Sequence, residues 1–345
     1  MIYIYFMILV TGGTGLVGSH LLYDLVKRGL PVRALRRKES NVNEVKKIFS
    51  YYSEDSESLF SRIEWAEGDL MDVFSLAEAM KGITDVYHCA AIVSIDSGDG
   101  EKMIRNNVTG TTNMVNMALE NKIRKFCHVS SVAALGIESG KDITEETAWN
   151  NDSNFSAYAI SKYLSENEVW RGTQEGLNAV IVNPTIVIGP GNLNRSSGLL
   201  FKAAQKGLRW YSSGGMGYVD VRDVVKAMIT LMDSDLKNEK FILTSENLPF
   251  KDFFELVYNS IGKKIPNQKA GKFILELVWR ADKLKSIFTG SAHIFTKEVA
   301  RYASIQLAYS NSKVKNKINF RFTPVSKAVS DTAKCFISDQ KSKNN

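Results

Sequence analysis

Cysteine and histidine are scarce in this chain, and the shortage excludes several kinds of chemistry. Only three Cys (Cys89, Cys127, Cys335) and four His (His20, His88, His128, His293) occur in 345 residues. No two cysteines form a CxxC pair, so neither a disulfide framework nor a thiolate metal site is expected, and isolated thiols predict a reducing, cytoplasmic setting. The histidines lie too far apart for a local metal motif, and no metal is expected. The uncharged opening MIYIYFMILV is too short to span a bilayer and lacks the basic segment and small-residue cleavage site of a secretory signal. It reads instead as a buried strand beginning at Met7, which leaves open whether Met1 or Met7 starts the natural chain. Repeats of fixed period and low-complexity tracts are also missing. What remains, 44% hydrophobic and 23% charged, is the composition of a globular protein longer than one average domain.

Charge is unevenly spread. From residue 251 onward there are 18 basic and 7 acidic residues, against 26 and 30 in the first 250, so the net +7 arises entirely in the last quarter. Solvated helix faces are the commonest source of such a surplus. No nucleic-acid motif accompanies it, and no nucleic-acid partner is expected.

The first strand runs into Thr11-Gly12-Gly13-Thr14-Gly15-Leu16-Val17-Gly18 and then a helix on which Leu21, Leu22, Leu25 and Val26 share a face. In this order of strand, loop and helix, glycines at 12, 15 and 18 let the turn close and the backbone approach a pyrophosphate at the helix N-terminus. Gly12, Thr14, Gly15, Leu16, Val17 and Gly18 are therefore candidate dinucleotide-binding residues. The second strand, 31–35, ends in Arg36-Arg37-Lys38 rather than an acidic residue, with Arg33 two residues inside. Guanidinium groups there suit a 2′-phosphate, so NADP is expected rather than NAD. Residues 50–61 read as a surface elaboration without chemistry. A third strand, 63–70, carries Asp69 and Leu70 toward the adenine, and a fourth, 86–91, ends in Ala90 and Ala91, small enough for the cofactor ribose to lie close. Arg105 to Thr111 open an apolar-periodic helix, and 126–131 is a fifth strand. This alternation predicts an α/β fold, a Rossmann-type doubly wound parallel sheet.

The pattern YxxxK occurs three times, at Tyr23/Lys27, Tyr158/Lys162 and Tyr309/Lys313. Only Tyr158 follows, 27 residues after Ser131, a strand ending in Ser130-Ser131 on the ligand-binding side of such a sheet. TGGTGLVG, GDL, HCAA, NNVTGT, VSS, YAISK and NPTIVIGPG stand in an order that resembles the extended short-chain dehydrogenase/reductases, the superfamily of NAD(P)-dependent epimerases, dehydratases and reductases. The resemblance spans residues 8–191 and continues through VDVRDV at 219–224.

The resemblance implies Tyr158 as general acid/base, Lys162 beside it and on the nicotinamide ribose, Ser131 on the substrate oxygen, Asn107 ordering the group, and Pro184 and Val187 against the nicotinamide. A Lys one turn beyond a Tyr is expected to lower the phenol pKa. Ser131-Val132-Ala133 lacks the Asp-Glu pair of sugar dehydratases, and the NPT segment looks more like dihydroflavonol reductases, cinnamoyl-CoA reductases and hydroxysteroid dehydrogenases. The expected activity is hydride transfer between NADP(H) and a carbonyl/alcohol pair of a small organic substrate. A nucleotide-sugar epimerase and a non-catalytic NADP-sensing regulator are the alternatives. The nucleotide domain is expected at 1–185 with 216–245 returning to it, and a substrate domain at 186–215 and 246–345. Within the latter, 272–288 reads as a packed helix with Phe273, Leu277, Leu284 and Ile287 in phase, peripheral lipid contact being its alternative reading. The family further implies a homodimer through the helices of 107–119 and 158–170.

Overall fold

Seven strands form one all-parallel sheet in the computed structural model, in the order β10-β6-β5-β4-β1-β2-β3. The structure describes residues 6–93, 97–137, 140–150, 155–207, 210–266, 268–289, 300–301 and 303–344. Residues 1–5, His293 and the side chains of Leu284 and Ile287 lie outside the described residues. The strands are β1 (Ile8–Thr11), β2 (Val32–Arg36), β3 (Ile63–Glu67), β4 (Asp85–His88), β5 (Lys125–Val129), β6 (Ala179–Pro184) and β10 (Glu239–Leu243). The central ones, β1, β4 and β5, are buried without alternation because both faces are covered. Ile8 and Val10 join one core with helices α1 (Leu16–Lys27) and α8 (Val221–Asp233). Leu9 joins the opposite core with α4 (Val73–Met80), α5 (Gly100–Glu120) and α6 (Ala157–Gln174). Each such fully buried aliphatic side chain contributes about 1.5–3 kcal/mol.

A smaller three-stranded sheet, β11 (Glu246–Pro249), β9 (Gly215–Asp220) and β7 (Ile186–Ile188), follows β6. Its core gathers Phe201 of α7 (Gly198–Lys206), Phe253 and Val257 of α9 (Phe250–Ser260), and Val329 and Phe336 of the last helix, α12 (Val325–Asn344). Tyr218 lies flat on Phe253, with ring centroids 4.0 Å apart. A short pair, β8 (Trp210–Tyr211) with β12 (Gln268–Lys269), precedes α10 (Lys272–Thr289), and α11 (Ser312–Ile318) follows.

Several expectations change. Residues 50–61 are not a mere elaboration: they hold the end of α2 (Asn43–Ser50) and α3 (Ser56–Ser61), and Tyr52 accepts or donates a bond to His20 at 3.0 Å while Tyr51 donates to Asp339 of α12 at 2.6 Å. Helix α5 starts at Gly100, well before Arg105. On α10 it is Leu275 that is buried, against Ala270 and Ala300, whereas Phe273 and Leu277 are exposed. Lys125, the first residue of β5, is buried because its ammonium donates to the carbonyls of Leu231 and Ser234, both at 2.6 Å, where the dipole of α8 ends. No helix among the described residues is long and apolar enough to cross a membrane.

Candidate active site

The glycine loop is held against the end of β4. Thr11 Oγ1 shares a hydrogen bond with His88 Nδ1 at 2.7 Å and accepts one from the Ala90 N–H at 3.3 Å. Gly12 has φ +69°, and a Cβ there would lie 2.6 Å from the Ala90 nitrogen, so only glycine allows loop and strand end to approach this closely. Gly15 caps α1 with no side-chain hydrogen bond, which leaves the first-turn N–H groups to a ligand from outside. A Cβ on Gly18 would sit 2.2 Å from the Gly12 carbonyl oxygen. Gly18→Ala is therefore expected to destabilise the fold by about 1–3 kcal/mol despite the better helix propensity of Ala, and urea unfolding would show it. Equal midpoints would mean that the loop yields freely. From the other side, Gly191 closes on this loop: its missing Cβ would lie 3.2 Å from Leu16 Cδ1, and Val187 packs on the same core as Val17.

Arg36 ends β2 and Arg37 and Lys38 follow it at the same sheet edge, and the Gly68 N–H donates to the Arg36 carbonyl at 2.9 Å, placing Asp69 and Leu70 beside them. Arg37 makes an exposed 3.5 Å ion pair with Glu39. Arg33 does not join them. Its guanidinium donates to Glu64 at 2.6 Å and to the carbonyls of Ala79 and Lys81, at the C-terminal end of α4 and hence the opposite sheet edge. Asp69 accepts the Met71 N–H at 2.9 Å, and Asn113 donates to the Leu70 carbonyl at 2.8 Å.

Beyond β5, Ser131 caps a short 3-10 helix, Val132–Ala134, and its hydroxyl hydrogen-bonds the half-buried phenol oxygen of Tyr158 in the first turn of α6. One turn on, buried Lys162 donates to the Val129 carbonyl at 3.0 Å. The expected lowering of the Tyr158 pKa does not occur. Burial pushes it upward, and the opposing influence is the Ser131 hydrogen bond, because the ammonium of Lys162 is turned to a strand carbonyl. Lys162 itself is pushed down to about 8 by burial, against the raising influence of Cys89 and Glu166. Asn107 is buried mid-helix in α5 rather than at a helix start: its carbonyl accepts the Ile92 N–H at 2.7 Å, and its amide donates to the Ile92 carbonyl at 2.9 Å and to Ser161 at 3.1 Å. It ties the segment following Ala90 and Ala91 to the helix of Tyr158.

The other two YxxxK pairs serve packing. Tyr23 is buried with Lys27 over its ring at 5.5 Å, and Lys313 pairs with Glu239 at 3.0 Å over the ring of Phe241. Residues missed in the sequence are Thr11, His88, Ser161, Asn183 and Glu166. Glu166 had a readable signal: it follows Tyr158 and Lys162 at i+8 and i+4 on one helix face. No group of three or more His, Cys, Asp or Glu suited to a metal occurs among the described residues.

The family model for the NAD dependent epimerase/dehydratase family matches residues 8–243. The chain belongs to this family. Among relatives of this family member, sterol demethylase protein B of Methylococcus capsulatus is 31% identical over 69% of the chain and 70% of its own length. Cinnamoyl-CoA reductase 1 of Petunia hybrida is 27% identical over 95% and 91%. The crystal structure of gox2253 superposes with a TM-score of 0.80 at 30% identity, covering 96% of this chain and 98% of the other. UDP-glucose 4-epimerase of Thermotoga maritima, at 18% identity and TM-score 0.76, shares the fold. The chain is thus an enzyme of the NAD-dependent epimerase/dehydratase type with reductases among its relatives.

Proposed function

We propose that this enzyme interconverts a carbonyl and an alcohol of a small organic substrate with NADP(H). The observation that carries the reading is the Ser131–Tyr158 hydrogen bond, one turn from Lys162 and facing the glycine loop through Ala90 and Asn107. The side-chain-free cradle of Gly12 and Gly18 and the uncapped start of α1 fit a pyrophosphate. When bound, the dinucleotide supplies or accepts the hydride. Tyr158 donates the proton to the substrate oxygen and Ser131 holds that oxygen. Lys162 contributes positive charge to the ribose side, and Pro184 and Val187 close the nicotinamide face. The reductases among the relatives favour carbonyl reduction over epimerisation. The smaller sheet and α7, α9 and α12 would form the substrate side.

Arg36, Arg37 and Lys38 support NADP(H), since Arg36 donates to the Lys38 carbonyl at 3.4 Å and Arg37 pairs with exposed Glu39 at 3.5 Å, long contacts that a 2′-phosphate would displace. The test is kcat/KM for NADPH over NADH across ketones, aldehydes and nucleotide sugars. A ratio above about tenfold is expected, falling toward one in the Arg36→Ser/Arg37→Ser double variant, as loss of one or two charge-assisted hydrogen bonds requires. A parent ratio at or below one would refute the cofactor choice, and sugar inversion without NADPH consumption would select the epimerase.

A further inference from the structure

We infer that Glu166 is a positioning residue that sets both the orientation of Ser131 and the charge of Lys162. The inference rests on the proposed use of Tyr158, Ser131 and Lys162. Glu166 is buried at 3% exposure, yet four donors converge on it. Ser130 Oγ and Asn183 Nδ2 donate to Oε2, each at 2.9 Å, and Lys240 Nζ and Trp170 Nε1 donate to Oε1 at 3.2 and 3.4 Å. Asn183 Nδ2 also donates to the Ser131 carbonyl at 3.0 Å. One carboxylate oxygen therefore clamps the Ser130-Ser131 backbone to β6 and α6, and the Ser131 hydroxyl bonded to Tyr158 inherits that placement. The other oxygen faces a cavity of about 410 Å³ lined by Trp149, Tyr163, Trp170 and Lys240. Glu166 is also the acidic side chain one helical turn from Lys162, whose positive charge it favours.

The charges around this pair are few. Lys162 faces Glu166 on its own helix, His88 and Cys89 from β4 and the residue after it, and His128 from β5. Glu166 faces Lys240 of β10, with Glu145, Glu146, Glu239 and Lys313 around the cavity. A Gln at 166 preserves volume but must aim its amide NH₂ at one of the two donor pairs, so one side of the clamp breaks while the negative charge disappears. Lys240→Met removes the compensating cation and leaves the carboxylate.

Dinucleotide affinity measured by fluorescence titration from pH 6 to 10, on the whole chain, reads the charge of Lys162 without turnover. In the parent it should weaken as Lys162 loses its proton near pH 8. Glu166→Gln is expected to move that midpoint down by about one pH unit and Lys240→Met to move it up. Below the midpoint, Glu166→Gln should leave affinity within about threefold while kcat falls about 10- to 100-fold, the size expected from misplacing a reacting group. Should Glu166→Gln not fold, the upward shift in Lys240→Met decides alone. Coincident midpoints, or shifts of the same sign, overturn the assignment. If the parent binds no dinucleotide, or Tyr158→Phe turns over normally, it is the underlying functional reading that fails.

Discussion

Replacing Tyr158 by Phe lowers kcat for carbonyl reduction by about 10³-fold, equal to about 4 kcal/mol of barrier, within the span typical of a lost general acid. The substitution keeps the ring that opens α6 and removes only the hydroxyl bonded to Ser131. Dinucleotide affinity should stay within about threefold, since the glycine loop and Lys162 are untouched. Burial adds a second, less obvious expectation. Because the Tyr158 phenol is pushed upward, it holds its proton throughout the neutral and mildly alkaline range and is in the acid form that reduction requires. The alkaline loss of parent activity should then fall near pH 8, where buried Lys162 deprotonates, rather than near the ordinary tyrosine value. A Phe variant within tenfold of the parent would remove Tyr158 from the reaction, and a pH profile flat to pH 10 would remove the charge of Lys162 from it.

The second large effect concerns stability toward acid. His20, His88 and His128 are all nearly inaccessible, at 3%, 1% and 1% exposure. Burial pushes His20 down to about 4 and His88 to about 3, and holds His128 well below its ordinary value. His88 is wedged between Thr11 and Thr111 and stacks on His128, neither of whose ring nitrogens has a hydrogen-bond partner among the described residues. The sign follows from proton uptake. Between the unfolded value of 6.5 and the lowered folded values, the unfolded chain binds more protons, so stability is intact above pH 7 and falls as pH drops through 6.5. At pH 5, about 1.5 units below the unfolded value, His20 and His88 each account for a loss of about 2 kcal/mol, about 4 kcal/mol together, and buried His128 acts in the same direction. That is a large share of the ~5–15 kcal/mol typical of a folded protein. Asp85 and Asp223, which burial pushes upward, act in the opposite sense. Urea midpoints at pH 7 and 5 measure the difference, and His128→Leu should shrink it. Stability that differs by under about 1 kcal/mol between the two pH values would contradict this account.

The stretch from β1 through α1 was legible in the sequence because its signals are local. An uninterrupted apolar strand, glycines at 12, 15 and 18 and a helix with Leu21, Leu22, Leu25 and Val26 inward are all decided within a few residues, and the structure buries those four side chains. That Tyr158, rather than Tyr23 or Tyr309, meets Ser131 was legible too, through its distance from Ser130-Ser131. Strand ends were drawn too long. Asp69, Ala90 and Ala91 carry candidate ligand contacts because the ladder has already stopped at Glu67 and His88, where the chain turns away from its neighbours.

What only the tertiary structure decided is which groups share a charge or a hydrogen bond across the sheet. Arg33 looked like a companion to Arg36, yet residue parity and α4 send it to the opposite edge. Lys162 looked free to act on Tyr158, and packing turned it to Val129 while burial raised the phenol. Glu166 gained its role from Ser130, Asn183 and Lys240, up to 74 residues away in the chain. Local sequence sets dihedral preference and periodicity, so it determined the elements and the glycine loop. Desolvation and long-range pairing exist only once those elements stack, and they determined the protonation and orientation of the residues on which the proposed chemistry depends.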